Sequence, residues 1–100
     1  MYLIAWRYAV PVQHESEFRR AYGPAGEWGE FFRSSPHYRG TQLVVLDEPG
    51  GYMTIDSWDD AASYHRFLDE NRERYVELDQ RFEQLTTSET LLGRGEVRGE

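Results

Sequence analysis

One hundred residues, 39% hydrophobic and 15% aromatic, with a formal net charge of −7, fit one folded domain with a modest core. The acidity argues against a nucleic-acid backbone or an anionic membrane as partner, since both need clustered positive charge. All eleven basic residues are Arg and Cys is absent, which excludes lysine Schiff bases, thiol nucleophiles, disulfides and cysteine–metal sites.

The N-terminal MYLIAWRYAV has no basic flank and no small-residue cleavage site, so it does not read as a signal peptide. No apolar stretch nears the roughly 20 residues needed to cross a bilayer. The expectation is a cytoplasmic protein. Residues 2–10 alternate large even positions (Tyr2, Ile4, Trp6, Tyr8, Val10) with Leu3, Ala5, Arg7 and Ala9, a strand that Pro11 ends. His14 to Tyr22 reads as a helix stopped by Gly23, with Pro24 opening a continuation. Phe18, Ala21, Tyr22, Ala25, Trp28 and Phe32 keep helical spacing across that break, as one kinked helix or two abutting segments.

TQLVVLDE and GYMTIDSW read as a hairpin around the turn signal EPGG. Asp59 and Asp60 can cap the next helix. That helix carries Tyr64, Phe67, Leu68, Asn71, Tyr75, Leu78 and Phe82 on one face over five turns. Glu70–Arg74 and Glu77–Arg81 stand at i,i+4 on its solvated side. TTSETLLGRGEV is a last strand fading into a polar tail. The domain is set at residues 1–92 and the tail at 93–100.

The order β-α-β-β-α-β predicts an α+β, ferredoxin-like domain with an antiparallel sheet. The first strand sets Ile4, Trp6 and Val10 on one face and Leu3 and Ala5 on the other; the second sets Leu43 and Val45 against Val44 and Leu46. Helices cover one face only, so a second copy is the simplest cover for the other, and a homodimer is expected.

With these elements in place, the sequence resembles the antibiotic biosynthesis monooxygenase family of the dimeric α+β barrel superfamily. The likeness covers about residues 2–92. It rests on the order of elements, the strand-ending Trp58 before an acidic helix start, and Tyr64. The stretches YGPAGEWGEFF and HYRGTQLVVL also look like members of that family whose function is unassigned. The resemblance implies two sheets paired back to back as a dimeric α/β barrel. In the family's cofactor-free oxygenases a Trp ends the third strand, with an Asn four residues before it and a Tyr six residues after. Trp58 and Tyr64 match, Thr54 replaces the Asn, and Leu78 stands where those enzymes carry a helical Arg, with Arg74 and Arg81 nearby. The haem-degrading members use an Asn, a Trp and a ligating His at positions held here by Trp6, Phe67 and Glu77. Haem degradation is rejected.

Strand parity sets Tyr52, Thr54, Asp56 and Trp58 on one face, and the resemblance turns that face toward the helices and Tyr64. The resulting reading is a monooxygenase that oxidises a small aromatic, polyketide- or quinol-like substrate with O2 and without a cofactor. Tyr64, Trp58 and Asp56 are the candidate catalytic residues. Thr54, Tyr52, Trp6, Trp28, Phe32 and His65 are the candidate substrate-binding residues. Tyr64 can hydrogen-bond a quinone or phenol oxygen, and Asp56 or His65 can take a proton. The alternative is a non-catalytic ligand-binding or accessory dimeric domain in which Trp58 and Tyr64 are packing residues. No metal site is expected, because His14, His37 and His65 fall on separate elements without ligand spacing.

Overall fold

The computed structural model describes residues 1–99; Glu100, the end of the expected tail, lies outside them. The elements are β1 (Tyr2–Ala9), α1 (Glu15–Tyr22), α2 (Glu27–Phe32), β2 (Tyr38–Val45), β3 (Gly51–Trp58), α3 (Ala61–Glu70), α4 (Arg72–Phe82) and β4 (Ser88–Glu96), with short 3-10 turns at Val12–His14 and Glu83–Leu85. The strands form one sheet in the order β2-β3-β1-β4, and every neighbouring pair is antiparallel. This is the expected ferredoxin-like α+β arrangement. Among the described residues no helix is long and apolar enough to cross a membrane.

Each expected helix is divided. Between α1 and α2 the chain closes on itself at Gly26, where a Cβ would stand 2.2 Å from the Arg20 carbonyl oxygen, so only glycine fits. Between α3 and α4 the expected single five-turn helix is interrupted at Asn71, with φ −127° and ψ 29°. The Asn71 amide donates to the Phe67 carbonyl at 2.9 Å, a side chain competing with the helix ladder. The break also shifts the expected surface pairs. Arg74 bonds Glu77 rather than Glu70, and Arg81 reaches Glu27 on α2 at 3.8 Å. At the start of α3, Asp60 accepts from the Ser63 N–H at 2.7 Å, the expected cap. Asp59 instead binds the His37 ring and Arg39, whose hydrogen bonds hold its carboxyl below the usual range.

Two bulges decide which side chains meet the helices. In β2, Tyr38 pairs with Trp58 and Gly40 with Ser57, leaving Arg39 as an extra residue. Gly40 there adopts φ 128°, a backbone conformation that side chains disfavour. In β4, Leu91 pairs with Trp6 and Gly93 with Ala5, so Leu92 is the extra residue. A bulge reverses side-chain parity beyond it. Gly93–Glu96, placed in the tail on sequence, continue β4 against β1.

The core lies on the helix side of the sheet in two clusters. Tyr8, Val10, Phe18, Tyr22, Tyr52, Leu78, Phe82 and Leu85 form one, under α1 and α4. Tyr2, Ile4, Phe32, Trp58, Tyr64 and Phe67 form the other, under α2 and α3. Trp58, Tyr52, Phe18, Phe82, Ile4 and Leu78 are its largest fully buried side chains, and burying each large apolar group stabilises the fold by roughly 1.5–3 kcal/mol. Trp6, Trp28 and Phe31 pack against both clusters. The site lies along that seam.

Candidate active site

A cavity opens between the sheet and the helices where the two clusters meet. The strands supply Trp6 and Tyr8 from β1, Thr41 from β2, Thr54 and Asp56 from β3, and Glu89 from β4. The helices supply Tyr22 from α1, Trp28 and Phe32 from α2, Tyr64 from α3, and Tyr75 and Asp79 from α4. About 40 Å³ is open to the centre of a solvent molecule, room for a few waters. The unoccupied space reaches about 510 Å³ only when the mouth is counted, so the smaller figure describes the interior.

Of the nine residues expected at the site, Trp6, Trp28, Phe32, Thr54, Asp56 and Tyr64 line the cavity. Trp58 does not. It is fully buried beneath Tyr64, with the two ring centroids 5.4 Å apart, and its indole N–H has no partner among the described residues. Tyr52 is also fully buried, away from the cavity. Its hydroxyl donates to Glu15 at 2.7 Å and accepts from the Arg19 Nε at 2.7 Å. His65 stands outside, with its ring 5.2 Å from that of Tyr64. Tyr52, Thr54, Asp56 and Trp58 share one face, as the strand pattern implied, and that face meets the helices, as the resemblance implied; their depths differ.

Asp56 is the chemically distinctive residue. Burial pushes its carboxyl up to about 6, against the opposing effect of a hydrogen bond from Thr41. Its remaining exposure opens onto the cavity. Arg7 of β1 pairs with Glu48 in the β2–β3 turn rather than with Asp56. The Thr41 hydroxyl donates to Asp56 Oδ1 at 2.5 Å, and the Tyr38 hydroxyl lies 2.5 Å from Thr41 Oγ1. Because the single Thr41 proton points to the carboxylate, Tyr38 donates to Thr41. The chain Tyr38→Thr41→Asp56 fixes Oδ1 and leaves Oδ2 for a ligand. Tyr64 is protonated at any ordinary pH, since burial pushes its phenol up to about 12.

Sequence reasoning missed Thr41, Tyr8, Tyr22, Tyr75, Asp79 and Glu89 as site residues. Thr41 was hidden by the β2 bulge, without which Tyr38 and Thr41 would face opposite sides. Asp79 carried a visible signal: it lies four residues after Tyr75, beside the Leu78–Phe82 stripe. Asp79 and Glu89 both line the cavity. Glu89 is shifted upward by burial first and by the Asp79 charge second.

A helix-covered antiparallel sheet with an aromatic-walled cavity and two upward-shifted carboxylates, Asp56 and Glu89, defines the class: a ferredoxin-like fold built around an interior pocket. Against solved structures, the chain matches a candidate antibiotic biosynthesis monooxygenase from Deinococcus radiodurans over 100% of its own length and 95% of that chain, with TM-score 0.78 and 14% identity. A variant of SnoaB, a cofactor-independent oxygenase from Streptomyces nogalater, matches over 99% and 94% with TM-score 0.71 and 19% identity. A variant of MhuD with two manganese protoporphyrin IX bound per active site matches over 100% and 97%, with TM-score 0.73 and 16% identity. No family model matches the sequence, and no curated protein matches it significantly. The chain therefore has the fold of the antibiotic biosynthesis monooxygenases, as the resemblance implied.

Proposed function

We propose that this chain is a homodimeric oxygenase that oxidises a small phenolic, polyketide- or quinol-like aromatic with O2 and no cofactor. One observation carries the reading. Asp56, with a carboxyl near 6, presents a free oxygen to a cavity walled by Trp6, Trp28, Phe32 and Tyr64. A group that changes protonation just below neutral pH suits a general base, and the aromatic walls suit a flat ligand.

In the reaction, Asp56 Oδ2 takes a proton from the substrate's phenol or activated CH2 group, and the Thr41 bond holds the carboxylate in place. Tyr64, always protonated, donates a hydrogen bond to the oxyanion that forms. The electron-rich anion reduces O2 directly. One oxygen atom becomes bonded to the former CH2 carbon and the other leaves as water, so CH2 plus O2 gives C=O plus H2O without an external reductant. Trp58 supports Tyr64 from beneath. Haem degradation is not the reading, since Glu77 stands where the haem-degrading members carry the ligating His.

The second copy belongs on the outer face of the sheet. There Leu3, Ala5, Val44, Met53 and Ile55 are only half-buried, and Leu92 joins Leu3, Ala5 and Ile55 around a shallow groove. Apolar side chains lost from water at such a face supply the association energy. A non-catalytic ligand-binding domain is the second reading. It is favoured by Thr54 in place of an amide and by an interior of only about 40 Å³, below the roughly 300–1,000 Å³ typical of ligand pockets.

The test is oxygen uptake with an anthrone, whose ring CH2 is activated, and metal-depleted protein. The oxygenase reading expects uptake well above the uncatalysed rate, lost in Asp56→Asn and reduced in Tyr64→Phe. Uptake unchanged in both variants rejects the residue assignment. Ligand binding without uptake selects the second reading.

A further inference from the structure

A groove of about 390 Å³ runs outside the cavity between β4 and helices α3 and α4. It shares Trp6, Tyr64 and Tyr75 with the cavity, so one layer of aromatic side chains separates the two spaces. The interior alone is too small for a polycyclic ligand. A turn of Tyr64 or Tyr75 would join it to the groove and make a site of ordinary size.

The groove carries one cation with no assigned work. Arg72 is paired with Asp69 at 2.9 Å, but Arg94 makes none of the ion pairs found among the described residues. Its position follows from the β4 bulge. Leu91 pairs with Trp6 and Arg94 with Ile4, and both partners face the helices. In a regular strand, residues three apart point to opposite faces; the extra Leu92 lets Leu91 and Arg94 share one. The positive charge of Arg94 lies near enough to Tyr64 and Tyr75 to oppose the upward shift of both phenols. Glu89, on the same face at the far end, pairs with Tyr8. Five residues of strand, roughly 16 Å, separate the two charges.

We propose that Arg94 is a specificity residue that holds the carboxylate of an aromatic acid, whose ring passes between Tyr64 and Tyr75 so that its hydroxyl end reaches Asp56. The inference rests on the oxygenase-type cavity reading and narrows its substrate to a hydroxylated aromatic carboxylic acid. Charge argues for the local site. The protein carries a net charge of −7 and repels anions at long range, so a preference for a carboxylate must come from a nearby cation. Arg suits that task because its guanidinium forms paired hydrogen bonds with a carboxylate. The groove lies on the helix side, and although Arg94 also borders the outer-face groove assigned to the second copy, its pairing with Ile4 sets it toward the helices.

Fluorescence titration with anthracene-2-carboxylate and with 2-(hydroxymethyl)anthracene tests this. The intact protein is expected to bind the carboxylate at least tenfold more tightly. Arg94→Gln should bring the two ligands level, and Arg94→Lys should restore part of the preference. Equal binding by the intact protein, or a preference unchanged in Arg94→Gln, overturns the assignment of Arg94 and leaves the cavity reading standing. Binding of neither ligand overturns both.

Discussion

Replacing Asp56 with Asn should make the protein more stable, and by an amount that depends on pH. The wild-type carboxyl moves from the usual 3.8 to about 6 because burial penalises its charged form. A shift of about two units corresponds to about 3 kcal/mol. The sign follows from the folded state binding its proton more tightly than the unfolded chain does. Below pH 4 both states are protonated and nothing is lost. Between about pH 4 and 6 the folded protein holds a proton that the unfolded chain has released, so stability falls as pH rises. Above pH 6 the full cost of the buried charge is present. Asn is close in shape, accepts the Thr41 hydrogen bond through its carbonyl oxygen and carries no charge. Urea unfolding of the two proteins at intervals from pH 4 to 8 should show equal stability at the acid end and the Asp56→Asn variant ahead by about 2–3 kcal/mol at pH 8. A variant less stable at pH 8, or a difference that does not change with pH, would mean that burial does not penalise this carboxylate.

Thr41→Val removes the one hydrogen bond that favours the Asp56 carboxylate, so a carboxyl NMR titration should place the Asp56 midpoint above the wild-type value. Ile55→Glu puts a charge at the centre of the outer sheet face and should turn a dimer into a monomer by light scattering, with little change in far-UV circular dichroism; a wild-type monomer at micromolar concentration would remove the dimer. Asp60→Ala deletes the cap on α3 and should cost about 1 kcal/mol in urea unfolding. A Ser or Asn at this position should recover most of that loss.

The fold was legible because its main signals are periodic. Alternation in YLIAWRYAV and GYMTIDSW marked the two central strands, and parity put Tyr52, Thr54, Asp56 and Trp58 on one face, which the family resemblance turned toward the helices. The helix stripes placed Phe18, Tyr22, Phe67, Leu78 and Phe82 in the core, where the structure has them. What periodicity cannot carry is a change of register. Each bulge adds one residue and reverses the facing of those beyond it. Thr41 was therefore missed, while Arg94 was missed because residues 93–100 read as a polar tail rather than as strand. Depth was the other gap. Tyr52 and Asp56 share a face and differ by four positions, yet Tyr52 is sealed by Glu15 and Arg19 while Asp56 meets open space. That difference comes from which helix side chains lie over each position, and strand alternation holds no record of it.

The proposed chemistry stands or falls on Asp56 as the base of a cofactor-free oxidation. The decisive measurement is the pH dependence of kcat/KM for oxygen uptake with an anthrone, after subtracting the uncatalysed rate. With Asp56 as the base, the profile rises through an apparent pKa of about 6 and levels off above it. Asp56→Asn then loses roughly 100-fold or more at pH 8. A profile flat between pH 5 and 8, or uptake that survives Asp56→Asn, would take that role away from Asp56.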